Sequence, residues 1–341
     1  MSKRPLSVGF LAHVDAGKTT LTEALLYLSG TRRTFGRVDH GDTFLDTHAL
    51  ERSRGITIFS KQALLETSNG IITLVDTPGH VDFSAETERV LPILDCAVLV
   101  ISGTDGIQSH TLTLWNLLAR YKVPTVLFIS KMDLPGKDQT ELLTQLQESL
   151  SAGCVDFTAP TAQIHEAVAM CDEALLDTFL ETGAVSTTDI QSLIAKRKLF
   201  PCLFGSGLKL EGVDTLLNVL DCYAPTAQYA QVFGASVYKI SRDPQGNRLT
   251  WLKVTGGHLR VRDLIGYIGK NGDALSEKVL QLRLYTGDKY TTPEEILPGQ
   301  LCAVTGLTQT YAGQGLGSQS AIAPPLLEPD DDLPAAAASG L

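Results

Sequence analysis

No apolar run in these 341 residues approaches the ~18 that a membrane-spanning helix needs, and the short apolar stretch after Met1-Ser2-Lys3-Arg4 breaks at His13 and Asp15. Neither a signal peptide nor a membrane partner is therefore expected. Positive charge is scarce as well. Lys and Arg number 28 against 38 Asp and Glu, a formal charge of −10, so a broad basic face for non-specific nucleic-acid binding is excluded. DNA is not an expected partner; a local, shape-specific contact with a ribonucleoprotein stays open. Paired cysteines are absent too: Cys96, Cys154, Cys171, Cys202, Cys222 and Cys302 are scattered, with no C-x-x-C pair and no His at metal-ligand spacing. They read as small hydrophobes of a protein in a reducing, cytoplasmic compartment. No internal repeat is visible.

What is present is an ordinary globular composition, 43% hydrophobic and 19% charged, with length enough for two or three domains. Apolar runs at 6–11, 71–75, 96–101, 125–129 and 199–204 alternate with segments of helical spacing at 84–94, 111–121, 140–150 and 213–222. Continuous apolar strands between amphipathic helices predict an α/β fold, a mainly parallel sheet with helices on both faces. Residues 57–66 and 71–75 are expected to pair as a hairpin through Ser68-Asn69-Gly70. Residues 153–198 read as a helical, polar insertion outside the core. After Tyr223-Ala224-Pro225, short runs at 234–240, 248–254, 263–268, 278–284 and 301–305 are separated by turn signals such as Asn271-Gly272 and Pro298-Gly299. That texture predicts a small β-barrel. The expected domains are 1–225 and 226–322, followed by a disordered Pro-, Asp- and Ala-rich tail, 323–341.

The chemistry starts where the first strand runs through Ala12, His13, Val14, Asp15, Ala16 and Gly17 into Lys18-Thr19-Thr20 and a helical pattern. Strand, tight loop and helix is the context of a phosphate-binding loop, whose N–H groups and helix dipole favour anionic oxygens. Gly17 allows close approach, Lys18 reaches the β- and γ-phosphates, and the Thr19 hydroxyl can ligate Mg²⁺. Ala12 stands where the general pattern has glycine. Asp76-Thr77-Pro78-Gly79-His80 follows the 71–75 strand: Asp76 suits Mg²⁺ through water, Gly79 offers an N–H to the γ-phosphate, and His80 can orient attacking water. Thr57, in Arg54-Gly55-Ile56-Thr57, can close over Mg²⁺ and the γ-phosphate. In Ser130-Lys131-Met132-Asp133 the Asp133 carboxylate can accept from guanine N1–H and N2–H₂, a pair adenine lacks, while the Lys131 stem covers the base. Ser206-Gly207-Leu208 can offer a backbone N–H to guanine O6.

In this order the segments resemble the translational GTPase superfamily, elongation factor G and its relatives, over nearly the whole chain. Ala12 is that family's own usage. Residues 36–41, Leu50-Glu51-Arg52 and residues 20–27 are most similar to the tetracycline-resistance ribosomal protection proteins. The resemblance implies a Mg²⁺-dependent, ribosome-stimulated GTPase with GTP and the ribosome as partners, acting as a monomer. It places Lys18 on the phosphates, Thr19 and Thr57 on Mg²⁺, Asp76 on Mg²⁺ through water, and Asp15 near the phosphates. His80 is aligned by the ribosome beside an apolar gate of Val14 and Ile56, and Lys131 and Asp133 read guanine. The alternatives are an elongation factor G-like translocase fragment and a GTP-binding ribosome module with little turnover.

Two departures stand out. The family's base-reading motif begins with Asn, and here Ser130 stands in its place; one lost hydrogen bond predicts weaker GTP binding with guanine preference kept. The chain is also short, ending after the barrel-like region, which suggests a truncated or incomplete gene product that should not rescue translation from tetracycline. Lys196-Arg197-Lys198 reads as a solvated helix end, Trp115 and Trp251 as packing residues, His110, His165 and His258 as structural, and Asp46, Asp82 and Glu88 as surface or capping acids.

Overall fold

The computed structural model describes residues 4–36, 44, 61–78, 84–136, 138–225 and 227–319. The apolar runs become β1 (Arg4–Ala12), β2 (Lys61–Glu66), β3 (Gly70–Asp76), β4 (Cys96–Ser102), β5 (Thr125–Ser130), β6 (Cys154–Asp156) and β7 (Phe200–Phe204). They form one seven-stranded sheet in the order β2-β3-β1-β4-β5-β7-β6. β2 runs antiparallel to β3, closing the expected hairpin over 61–66, with 57–60 outside the described residues, and the other neighbours are parallel. Side-chain alternation explains the unbroken hydrophobicity. In β4, Cys96, Val98 and Val100 enter one core, and Ala97, Leu99 and Ile101 the other.

The helices are α1 (Lys18–Leu28), α2 (Ser84–Val90), α3 (Ser109–Arg120), α4 (Gln139–Ser149), α5 (Thr161–Ala169), α6 (Glu173–Thr182), α7 (Thr187–Ala195) and α8 (Val213–Tyr223). α1 and α5 to α8 cover the first core; α3 and α4 cover the second. The helix expected over 84–94 stops at Val90 and tightens into a 3₁₀ turn, Leu91–Ile93, because Pro92 cannot supply the next helical N–H.

Residues 153–198 are not an outlying elaboration. β6 is one edge strand of the sheet, and Val168, Ala169, Ile190, Leu193 and Ile194 lie in the same core as β1. Their apolar stripe is narrow, and the polar faces around it disguise it in the sequence. Glu88 is likewise no surface acid: it is buried and accepts from the Tyr121 hydroxyl at 2.8 Å. Arg197 is not a solvated helix end. Its guanidinium lies 5.0 Å from the Trp115 ring centre and 5.1 Å from that of Phe200, and it donates to Thr125 Oγ1 at 2.7 Å. Asp46, Asp82 and the 323–341 tail lie outside the described residues.

Beyond residue 226, β8 (Gly234–Arg242), β9 (Arg248–Gly256), β13 (Gln281–Thr286), β14 (Lys289–Thr291), β16 (Leu301–Thr305) and β17 (Gly315–Gly317) form an antiparallel sheet of order β14-β13-β16-β9-β8-β17. The pairs β10 (Leu259–Arg260) with β15 (Glu295–Ile296) and β11 (Leu264–Ile268) with β12 (Ala274–Lys278) wrap the same core through Leu259, Ile296, Ile265 and Tyr267. The run expected as one strand over 278–284 is divided, with β12 ending at Lys278 and β13 starting at Gln281.

This β unit docks on the α/β unit. Tyr238 and Leu301 enter the second core of the parallel sheet, and Gly287 N–H donates to Gln62 O at 2.8 Å. The Lys253 ammonium, buried between the two units, reaches Asp95 Oδ1 at 2.6 Å, Ser7 Oγ at 2.9 Å and Ile93 O at 3.0 Å. Burial pushes its pKa below the ordinary lysine value while the Asp95 charge pulls it back. Asp95 Oδ2 in turn accepts from Ser7 N–H at 2.8 Å.

Candidate functional site

β1 ends at Ala12 in extended conformation, so this position has no need of glycine and Ala12 packs into the core. The loop that follows folds through two left-handed residues, Asp15 (φ 61°) and Gly17 (φ 91°), with Ala16 N–H bonded to His13 O at 3.1 Å. Aspartate tolerates this region better than most side chains and glycine enters it freely. Left-handed turns of this kind gather successive N–H groups into an anion-binding concavity. α1 begins at Lys18 with no side-chain cap and no acid in its first turn, so its positive end faces that concavity unopposed. Val14 is half-buried and Asp15 exposed. The His13 ring meets His110 edge-on, centroids 6.0 Å apart.

Lys18 and Asp76 are brought together from 58 residues apart in sequence as a buried ion pair, with side chains 8% and 0% exposed. Asp76 is the last residue of β3, in register with Phe10 of the neighbouring strand. Thr77 is fixed beside it by a hydroxyl bond to Phe10 O at 2.8 Å. Thr19 is half-buried in the same first turn of α1. A threonine hydroxyl and a carboxylate are hard oxygen donors, and Mg²⁺ commonly takes only one or two protein ligands beside phosphate oxygens. Thr19 and Asp76 are donors of the kind that fit Mg²⁺ shared with phosphate oxygens.

On the other side of Gly17, one cavity of about 190 Å³ collects the remaining motifs. Gly17 and Thr20 come from the first segment, Lys131 and Asp133 from the loop after β5, and Ser206, Gly207 and Leu208 from the loop after β7. Lys131 holds a left-handed backbone (φ 59°), and Met132 N–H is tied to Gly205 O at 3.1 Å, which locks the loops after β5 and β7 together. Ser130 is buried. Its hydroxyl donates to Ala16 O of the phosphate loop, with Ile101 O 3.2 Å away. A hydroxyl has one proton. With that proton directed at backbone carbonyls, Ser130 ties the loops together and has nothing to donate to an acceptor such as guanine N7.

Residues 3–226 match the family model of the elongation factor Tu GTP binding domain. The chain belongs to that family. Among curated relatives it is similar to tetracycline resistance protein TetP of Clostridium perfringens, 33% identical over 92% of this chain and 52% of that protein. It is also similar to an oxytetracycline resistance protein of Streptomyces rimosus, 32% identical over 95% of this chain and 54% of that one. The chain thus spans about half the length of the curated relatives it matches. A crystal structure of a Thermus thermophilus protein shares the fold, with TM-score 0.82 and 23% identity over 93% of this chain and 54% of that one.

Gly17 thus joins the loop in front of the Lys18–Asp76 pair to the cavity lined by Lys131, Asp133 and Ser206–Leu208. Thr57, Gly79 and His80 lie outside the described residues. Three residues of the cavity carry no sequence signal for a ligand: Leu134, next to Asp133, and Phe35 and Gly36. Gly36 entered the reading only as the start of a family-like stretch, and Phe35 sits at the edge of a polar segment with no motif around it. Nothing in their spacing points to a ligand, because their position is set by contacts across α1.

Proposed function

We propose that this chain is a ribosome-associated, Mg²⁺-dependent GTPase of the translation-factor class, akin to the tetracycline-resistance proteins it resembles, acting as a cytoplasmic monomer. The observation that supports this most is the convergence of Asp133 and Ser206–Leu208 on one cavity that shares Gly17 with the loop in front of Lys18 and Asp76. We assign residues 1–225 to the GTP domain and 226–322 to a barrel of the second-domain type, with 323–341 as a tail.

In this reading the loop from Ala12 through His13, Val14, Asp15, Ala16 and Gly17 to Thr20 cradles the phosphates. Lys18 turns from Asp76 to the β- and γ-phosphates. Thr19, Thr57 and, through water, Asp76 would hold Mg²⁺, which would supply positive charge against the phosphates. Gly79 N–H senses the γ-phosphate. His80 orients the water whose oxygen bonds to the γ-phosphorus as the bond to the β–γ bridging oxygen breaks, leaving GDP and phosphate. Lys131 covers the base, Asp133 reads its N1–H and N2–H₂, and the Ser206–Leu208 backbone bonds O6.

Single-turnover GTP hydrolysis with and without 70S ribosomes tests this. Slow hydrolysis alone and acceleration of about tenfold or more on ribosomes is expected. Failure to bind GTP overturns the reading. Binding without turnover on ribosomes marks a ribosome-binding module instead, and ribosome-coupled movement of tRNA marks a translocase.

A Ser130→Asn variant should tighten both GTP and GDP about 5- to 30-fold, the value of one hydrogen bond of about 1–2 kcal/mol. The carboxamide has two N–H donors, enough for a loop carbonyl and for N7. Unchanged or weaker affinity in calorimetry would refute this account of Ser130.

A further inference from the structure

Among the described residues that line the base cavity, Phe35 carries the one aromatic side chain, and α1 holds it there indirectly. Its half-buried ring packs on the core, 6.0 Å from the ring of Tyr27 in the last turn of α1. The next residue, Gly36, passes directly over an ion pair between Arg32 Nη1 and Glu23 Oε2, so close that a Cβ there would overlap both atoms. Glu23 lies on α1 between Lys18 and Tyr27 and is fully buried. Its second oxygen, Oε1, accepts from Phe44 N–H at 2.5 Å, and Arg32 N–H is bonded to Leu26 O at 3.0 Å. A buried carboxylate must keep its partners, because losing one leaves an uncompensated charge. Glu23 therefore fixes residues 32–36 against the helix whose first turn carries Lys18.

We propose that Phe35 is the apolar wall against which the nucleobase packs, and that Glu23 is the positioning residue that holds this wall through Arg32 and Gly36. This rests on the reading of the cavity as the guanine site. Asp133 and the Ser206–Leu208 backbone supply polar groups for the edge of a purine, and its flat surface leaves water only if apolar groups cover it. Lys131 contributes an aliphatic stem and Phe35 a ring. The two kinds of contact differ in what they read. The carboxylate of Asp133 distinguishes exocyclic groups, whereas a ring packed on the base is indifferent to them. Loss of Phe35 therefore weakens GDP and IDP, which lacks the 2-amino group, by the same factor.

Calorimetry on the whole chain with Mg²⁺ and GDP, GTP or IDP decides the matter. Phe35→Ala should weaken all three by the same factor, about 5- to 100-fold from the usual range of base–aromatic contacts. Phe35→Tyr should stay within about threefold of the parent, since it keeps the ring. In hydrolysis, Phe35→Ala should raise KM by that factor and leave kcat at saturating GTP unchanged. Glu23→Gln should weaken binding, and the Glu23→Gln, Phe35→Ala double variant should bind no worse than Phe35→Ala alone, because Glu23 acts through the wall. Glu23→Asp, which keeps the charge, carries the same test if Glu23→Gln does not fold. Parent-like affinity in Phe35→Ala, or a loss for GDP that is absent for IDP, overturns the wall. Additive losses in the double variant overturn the positioning role. A parent chain that binds no GDP overturns the guanine-site reading itself, a separate outcome.

Discussion

Replacing Lys18 by Ala is expected to lower GTP affinity and single-turnover hydrolysis by about 10²- to 10⁴-fold each, the scale of a buried charge–charge contact of about 3–5 kcal/mol. The ammonium has two tasks in succession. Without nucleotide it neutralises Asp76, whose side chain is completely buried. In the proposed reading it faces the phosphates once nucleotide binds, where charge-assisted hydrogen bonds are strongest and where transition-state charge develops. The two tasks separate in the Lys18→Ala, Asp76→Asn double variant. Removing both charges relieves the uncompensated carboxylate, so thermal stability should return toward the parent value while hydrolysis stays lost. Thermal unfolding in the absence of nucleotide, set beside a hydrolysis time course, reads both. Parent-like hydrolysis in Lys18→Ala would remove the phosphate-loop assignment altogether.

Lys253→Met is expected to cost about 3–5 kcal/mol of stability, the usual consequence of stranding one member of a buried ion pair. The lysine and Asp95 side chains are 6% and 8% exposed, and each of the three ammonium hydrogens has an acceptor at 2.6–3.0 Å. Methionine matches the shape of the lysine stem but leaves the Asp95 carboxylate between two packed units without its cation. Because Ser7 lies in β1 and Lys253 in β9, the loss falls on the contact between the sheet and the β unit. Urea unfolding should show a lower midpoint and a split into two transitions as the units uncouple. A loss under about 1 kcal/mol would mean that the pair behaves like an exposed surface bridge and does not hold the units together. Lys253→Met with Asp95→Leu should recover much of the loss, since no lone charge is then buried.

How much of this was legible depends on whether a residue's role is local. The runs that became β1, β4 and β5 were readable because strands buried on both faces cannot alternate with polar residues. The strand, tight turn and helix over residues 12–18 were readable because the turn's glycine and the helix start are adjacent in sequence. The placement of Asp133 in the loop after β5 was readable because the apolar run ends just before it. Residues 153–198 were misread, since a polar outer face says nothing about which core the narrow apolar stripe of α5 and α7 enters. Phe35 was invisible for another reason: its neighbours on the cavity, Asp133 and Ser206, lie far along the chain.

The Ser130 case shows the division within one residue. That serine stands where the family has asparagine is a fact of the sequence, and it alone predicts a lost hydrogen bond. Which bond survives was decided by the fold, which places the hydroxyl against Ala16 O and so keeps the tie to the phosphate loop. By itself the sequence determined the α/β class and the GTP-binding family, because these rest on strand periodicity and on contiguous motifs. Only the tertiary structure decided the Lys18–Asp76 pair, the Glu23 clamp behind Phe35 and the Lys253 anchor. Each joins side chains distant in sequence whose charges are compensated only once the sheet, α1 and the β unit have packed and excluded water.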